Sequence, residues 1–251
     1  MSYFNSQEAA ARYDAYRPKV HDIVVDWLKD CLGEVRFGNA IDIACGTGDS
    51  TLPLTKISDS VLGIDVSNAM LRYAKDREFT VIQCSYNGID DSRAFDLIST
   101  CMAFHWFDPD EALAAYKRIS ADGAIWIIYN FFFAGHDSSD EFNQWLAEEY
   151  MTAYPSPPRN RTHGVLPGND SELKLLTRQM GIIPITLKVK ELVGYLTTQT
   201  NVENAVNLGR SYDEIAAELG SQIAQFELSG PYRYNYSYEI YRYAKNQEKL
   251  A

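Results

Sequence analysis

The chain has 251 residues, 46% of them hydrophobic, enough for one sizeable core, and is expected to form a single α/β domain over residues 1–251. A formal net charge of −11 and a pI near 4.8 argue against nucleic acid as a partner, because such binding draws most of its affinity from cationic contacts. No run approaches the ~20 apolar residues of a membrane span, and Cys31, Cys45, Cys84 and Cys101 lack CxxC spacing, which predicts free thiols rather than a metal site or a disulfide framework.

The opening “AARYDAYRP” sets Tyr13 and Arg17 four residues apart, on one face of a predicted helix. It lacks the apolar core of a secretory signal, so a cytoplasmic location is expected and no membrane partner. Ile23, Val24, Trp27, Leu28 and Leu32 recur at helical spacing and predict a helix ahead of the first strand, Ala40 to Ala44. That strand carries an acid, Asp42, at a buried position where an unpartnered charge costs several kcal/mol. Gly46 and Gly48 follow, and “DSTLPLTKI” reads as a helix with Pro53 in its first turn. “VLGID” ends a second strand at Asp65, with Ser67 as N-cap of the next helix. “FTVIQC” and “AFDLIST” read as strands three and four. Asp108, Pro109 and Glu111 then mark a helix start with a capping box in its aspartate form, and “GAIWIIYNFFF” is a fifth strand buried on both faces.

Farther on, Ser138 to Met151 reads as a helix and “AYPSPPRNRTHG” as a Pro-rich surface loop or lid. Asp170 to Met180, stopped by Gly181, reads as another helix; “IPITLKVKELVGYL” contains a strand. Ser211 with Glu214 is a second capping box, and Tyr232, Tyr234, Tyr236 and Tyr238 alternate on one face of a final strand. Strands alternating with helices predict a doubly wound, mostly parallel sheet.

A glycine loop after the first strand lets backbone approach a ligand at the carboxyl ends of parallel strands. Asp65, nineteen residues past Gly46, can accept hydrogen bonds from both hydroxyls of a ribose. A dinucleotide fingerprint needs a third glycine where Thr51 stands, and the acids Asp42 and Asp49 suit a ligand with an ammonium and a sulfonium better than a pyrophosphate. The plainer readings are a tight structural turn for the glycines, loop capping by Asp42 and core packing by Met70.

“AIDIACGTG”, “VLGIDVSNAM”, “AFDLISTCMAFHWFD” and “ISADGAIWII” resemble the successive motifs of class I S-adenosylmethionine-dependent methyltransferases, in the branch of trans-aconitate methyltransferase-like small-molecule enzymes. The match covers about residues 37 to 131, and “AARYDAYRP” resembles that branch's N-terminal segment. It implies a Rossmann-like methyltransferase fold, a seven-stranded sheet of order 3-2-1-4-5-7-6 with strand 7 antiparallel and helical lid insertions. It implies S-adenosylmethionine as cofactor, and no metal.

Carried over residue by residue, the resemblance makes Gly46 and Gly48 the backbone approach to the cofactor, with Asp42 orienting the loop. Asp65 holds the ribose, Val66 and Met70 flank the adenine, Ser85 and Tyr86 sit at its edge, and Cys101 faces the methionine portion. Ala44 stands where the family often has glycine. Arg17, with Tyr13, either reaches the cofactor carboxylate from an N-terminal lid (1–20) or is a solvated arginine beside a packing tyrosine. Residues 134–230 form the acceptor-side region. His105, just past the fourth strand, is the candidate catalytic group, as a base or as a cationic clamp; its alternative is to hold the turn beside Trp106. Arg159, Arg161 and His163 form a cationic loop, either solvated or a clamp for an anionic substrate. The function expected is methyl transfer to a small-molecule acceptor, a carboxylate or hydroxyl among the options; a protein methyltransferase and a non-catalytic S-adenosylmethionine-binding module are the alternatives.

Overall fold

The computed structural model describes residues 4–77, 79–90, 92–157 and 170–245. Seven strands form one sheet: β1 (Phe37–Ile43), β2 (Ser58–Asp65), β3 (Thr80–Gln83), β4 (Phe95–Cys101), β5 (Ser120–His136), β6 (Leu173–Ile185) and β7 (Tyr232–Tyr243). Their order is β3-β2-β1-β4-β5-β7-β6, with β7 antiparallel, as the family resemblance implies. The β1–β2, β1–β4, β2–β3 and β4–β5 pairs are parallel; Asp42 lies opposite Gly63 on one side and Ser99 on the other.

The helices are α1 (Gln7–Tyr16), α2 (Ile23–Leu32), α3 (Asn68–Ala74), α4 (Pro109–Ile119), α5 (Asp140–Trp145), α6 (Met151–Ala153), α7 (Val189–Leu196), α8 (Thr200–Asn207) and α9 (Tyr212–Ile223). Their starts follow the sequence signals. Ser67 accepts from the Met70 amide, Asp108 from the amides of Asp110 and Glu111, and Ser211 and Glu214 complete a reciprocal box. Glu111 turns its carboxylate elsewhere, to the Tyr86 hydroxyl and the Asn87 amide. A π-turn, Leu146–Tyr150, joins α5 to α6 within the helix expected from Ser138 to Met151.

Three segments depart from expectation. Residues 173–185 form a strand, not a helix; a short apolar run such as “LKLL” does not distinguish the two periods by itself. Gly181, read as a helix stop, instead makes room for a ring, since a Cβ there would fall 2.4 Å from the Tyr236 hydroxyl. “DSTLPLTKI” closes into a short 3-10 turn, Leu52–Lys56, because the residues before it are tied back to β1 and β2 begins at Ser58. In “IPITLKVKELVGYL” only residues 183–185 belong to a strand; after a three-residue link, Val189–Leu196 is α7, whose Gly194 masks its helical character in the sequence.

The chain falls into two compact units. The larger comprises Lys19–Asn130, Arg159–Met180 and Ser237–Ala251. Its core gathers Ile41, Ile43, Ile98, Phe104, Tyr116, Trp126 and Tyr243, each burial contributing on the order of 1.5–3 kcal/mol for the larger side chains. The polar tips inside are paired: Trp126 Nε1 donates to Ser120 Oγ at 2.8 Å, and the hydroxyls of Tyr116 and Thr100 meet at 2.5 Å. The smaller unit comprises Met1–Pro18, Phe131–Pro158 and Gly181–Tyr236, and is packed largely with aromatic rings, among them Phe142, Trp145, Tyr150, Tyr154, Tyr195 and Tyr232.

Candidate active site

In the larger unit, β1 delivers Asp42 into full burial, and its charge is answered by the loop that follows. Asp42 Oδ2 accepts from Ser50 Oγ at 2.6 Å and from Thr51 Oγ1 at 2.7 Å, while Oδ1 is buried without a hydrogen-bond partner. Burial pushes this carboxyl up to about 6, against the pull of the two hydroxyl bonds. Asp42 therefore staples the glycine loop to the strand that precedes it. The loop takes a left-handed path: Ala44 has φ +62°, Gly46 +55° and Gly48 +86°. Ala44 bears the steric cost that a glycine would escape.

The two glycines do different work. The Gly46 amide donates to Asp65 Oδ2 at 2.9 Å, and a Cβ on Gly46 would meet only the flexible end of Met70, at 3.3 Å. A Cβ on Gly48 would lie 2.6 Å from Phe79 Cζ and 3.2 Å from Ala74 Cβ, so Gly48 lets the loop pack on the segment after α3. Asp49 is neutralised within the chain by Lys19 Nζ at 2.5 Å and Arg77 at 2.9 Å. The cations that answer Asp49 are these two side chains, not the ammonium or sulfonium of a ligand that the sequence reading assigned to it.

Asp65 closes β2 beside this loop. Its Oδ1 accepts the Ser67 amide at 2.7 Å; burial raises its pKa against the backbone bonds that lower it. A carboxylate has about four acceptor sites in all, which the amides of Gly46, Ser67 and Val66 do not fill. Next to it, Val66 is 56% exposed and Ile82 49% exposed, an apolar surface at the ends of β2 and β3. Met70 is itself buried. Ser85 is exposed at the turn after β3, whereas the Tyr86 hydroxyl is engaged by Glu111 at 3.1 Å and its ring packs on Phe107.

At the end of β4, Cys101 is buried, with Sγ 3.7 Å from His21 Nδ1, and Met102 has φ +53°. No periodicity or motif marks His21 in the sequence; only the fold brings it to Cys101. His105 sits half-buried in the 3-10 turn Phe104–Trp106, its ring tilted against Trp106 at 4.9 Å. Tyr13 and Arg17 belong to the smaller unit, where Arg17 is the C-cap of α1 and its guanidinium lies 4.7 Å from the Tyr13 ring centre. Arg159, Arg161 and His163 lie outside the described residues.

The family described as a methyltransferase domain matches residues 40–122, the stretch from β1 through α4 to the start of β5. An uncharacterized methyltransferase of Bacillus mycoides (strain KBAB4) is 29% identical over 144 residues, covering 51% of this chain and 67% of that relative; relatives from Bacillus cereus and Bacillus anthracis match equally. The chain is an S-adenosylmethionine-dependent methyltransferase. Among solved structures, a protein of Anaeromyxobacter dehalogenans assigned to the type II methyltransferases shares its fold with a TM-score of 0.58 at 20% identity, over 91% of this chain and 97% of that one. YcgJ of Bacillus subtilis does so with a TM-score of 0.52 at 15% identity, over 90% and 99%.

The cofactor of this class I methyltransferase is S-adenosylmethionine. The residues at the strand ends fit a nucleoside: a carboxylate with acceptor sites to spare in Asp65, apolar surface in Val66 and Ile82, and an approachable backbone at Gly46. Among the described residues no helix of the methyltransferase is long and apolar enough to cross a membrane.

Proposed function

We propose that the methyltransferase acts in the cytoplasm on a small-molecule acceptor, within the trans-aconitate methyltransferase-like branch. The observation that carries its cofactor side is Asp65, held by the Gly46 and Ser67 amides with acceptor sites left for a ribose diol. Val66 and Met70 flank the adenine and Ser85 meets its edge; Tyr86, its hydroxyl engaged by Glu111, contributes its ring. Gly46 offers backbone, Gly48 and Asp42 keep the loop in shape, and Cys101 faces the methionine portion.

Bound S-adenosylmethionine supplies an electrophilic methyl group on a sulfonium. The chain's share is to align the acceptor, exclude water and, for an acceptor that arrives protonated, remove its proton. His105, in the turn after β4, is the group proposed for that proton, or for holding an anionic acceptor when it is itself protonated. The acidic balance of the chain favours a small acceptor over nucleic acid. Radiolabelled methyl transfer tests the reading: label in small metabolites supports it, label in protein assigns a protein substrate, and cofactor binding without transfer assigns a binding module.

A further inference from the structure

The larger unit holds a pocket of about 390 Å³ lined by Leu32, Val35, Phe37, Gly123, Ile125 and Arg242. It lies at the amino ends of the strands, away from the glycine loop. Phe37 opens β1, and Ile125 pairs with Leu97, four residues ahead of the Cys101–Tyr129 pair at the end of β4. Four residues of strand span about 13 Å, so the pocket is separate from the proposed cofactor contacts.

The packing of α2 accounts for its position. The Trp27 ring stacks on Tyr238 of β7 at 4.3 Å, and the helix ends at Leu32 with Gly33 as its C-cap. Side chains two apart share a face of a strand, so Arg242 continues the row of Tyr238 and Ile240 to where the helix has stopped. Phe37 and Ile125 are buried there, and Leu32, Val35 and Arg242 are half-buried. At Gly123, φ is +86° and an added Cβ would meet no atom within 4 Å, so this side of the pocket stays open.

The charges nearest in the chain are already matched. Lys29 pairs with Glu34, Arg36 with Asp59 at 2.6 Å, and Asp122 accepts the Lys245 amide at 3.0 Å. Arg242 makes no ion pair among the described residues, and it is the one charged side chain of the six that line the pocket.

We propose that this pocket binds a small aliphatic carboxylic acid, distinct from both cofactor and methyl acceptor, with its chain against Leu32, Val35, Phe37 and Ile125 and its carboxylate on Arg242. A wholly apolar guest would desolvate the guanidinium without giving it a partner, and a multiply charged one would set surplus charge against apolar walls. One carboxylate on one chain meets both conditions, because guanidinium and carboxylate join through two parallel hydrogen bonds. Apolar walls with a single placed polar group are the usual make-up of a small-molecule site.

Calorimetric titration of the full chain with octanoate, in excess S-adenosylhomocysteine, tests this; acetate is the acid without a chain and octan-1-ol the chain without a charge. Octanoate is expected to bind at least tenfold more tightly than either. Arg242→Gln should weaken octanoate tenfold or more and Arg242→Lys less, with the melting temperature unchanged and S-adenosylhomocysteine affinity within twofold. Val35→Glu sets a carboxylate against the pocket wall and should abolish octanoate binding by itself. The proposal is overturned if octanoate binds no better than octan-1-ol or acetate. It is also overturned if octanoate affinity is unchanged by Arg242→Gln or by Val35→Glu, which would place the acid elsewhere, the acceptor site included.

Discussion

Asp65 accepts the Gly46 amide on one carboxylate oxygen and the Ser67 amide on the other, so a single side chain fastens the glycine loop to the end of β2. Asp65→Ala removes both fasteners and the proposed ribose contact together. S-adenosylhomocysteine affinity measured by calorimetry is expected to fall at least tenfold, with about 1–3 kcal/mol lost from stability. Unchanged affinity would remove Asp65 from the cofactor site.

The two loop glycines should separate into different phenotypes. Gly48→Ala drives a methyl into Phe79 at a φ of +86°, so chemical denaturation should show a loss of roughly 2 kcal/mol or more. Gly46→Ala meets only the end of Met70 and should cost less, about 1 kcal/mol of backbone strain. Its main effect is expected on cofactor affinity. Equal stability losses in the two variants would contradict the division of roles.

Asp42 provides a pH signature. Its carboxyl titrates near 6 in the fold against a reference of 3.8, because burial outweighs its hydroxyl bonds. The folded state therefore holds the proton more tightly than the unfolded chain. This group's contribution to stability is greatest below about pH 4, falls as pH rises toward 6, and is flat above. Asp42→Asn keeps an oxygen for Ser50 and Thr51 without the charge. Relative to wild type, its stability should rise across that window by roughly 2–3 kcal/mol at most. Denaturation midpoints at pH 4.5 and 7 check the sign, and a constant difference would contradict it.

Strands β1 to β5 were legible because they announce themselves through apolar runs, caps and the Gly46, Gly48 and Asp65 spacing, all local in the chain; the order of the sheet came from the family resemblance. The errors lie where tertiary contacts decide. Residues 173–185 become a strand beside β7, and Gly181 serves the Tyr236 ring, a requirement set fifty-five residues away. In the site, glycine spacing points to a loop but cannot tell Gly46, turned to Asp65, from Gly48, turned to Phe79. The pairing of Asp49 with Lys19 and Arg77 and the approach of His21 to Cys101 are properties of distance alone. No sequence pattern encodes them.

His105 is the least constrained assignment, and pH separates its roles. As a base, its contribution to turnover rises with pH; as a cationic clamp, its contribution to acceptor affinity falls as pH rises. Profiles of wild type and His105→Asn at saturating S-adenosylmethionine decide between them. Parallel profiles with equal turnover would leave His105 as a packing partner of Trp106.

Asp65 and the glycine loop are proposed to serve methyl transfer to a small molecule. The most direct test incubates the protein with methyl-labelled S-adenosylmethionine and a cell extract separated into metabolite and protein fractions, with Asp65→Ala alongside. The expected result is label in the metabolite fraction with wild type, reduced at least tenfold with Asp65→Ala at limiting cofactor. Label confined to the protein fraction, or transfer indifferent to Asp65, would contradict these roles.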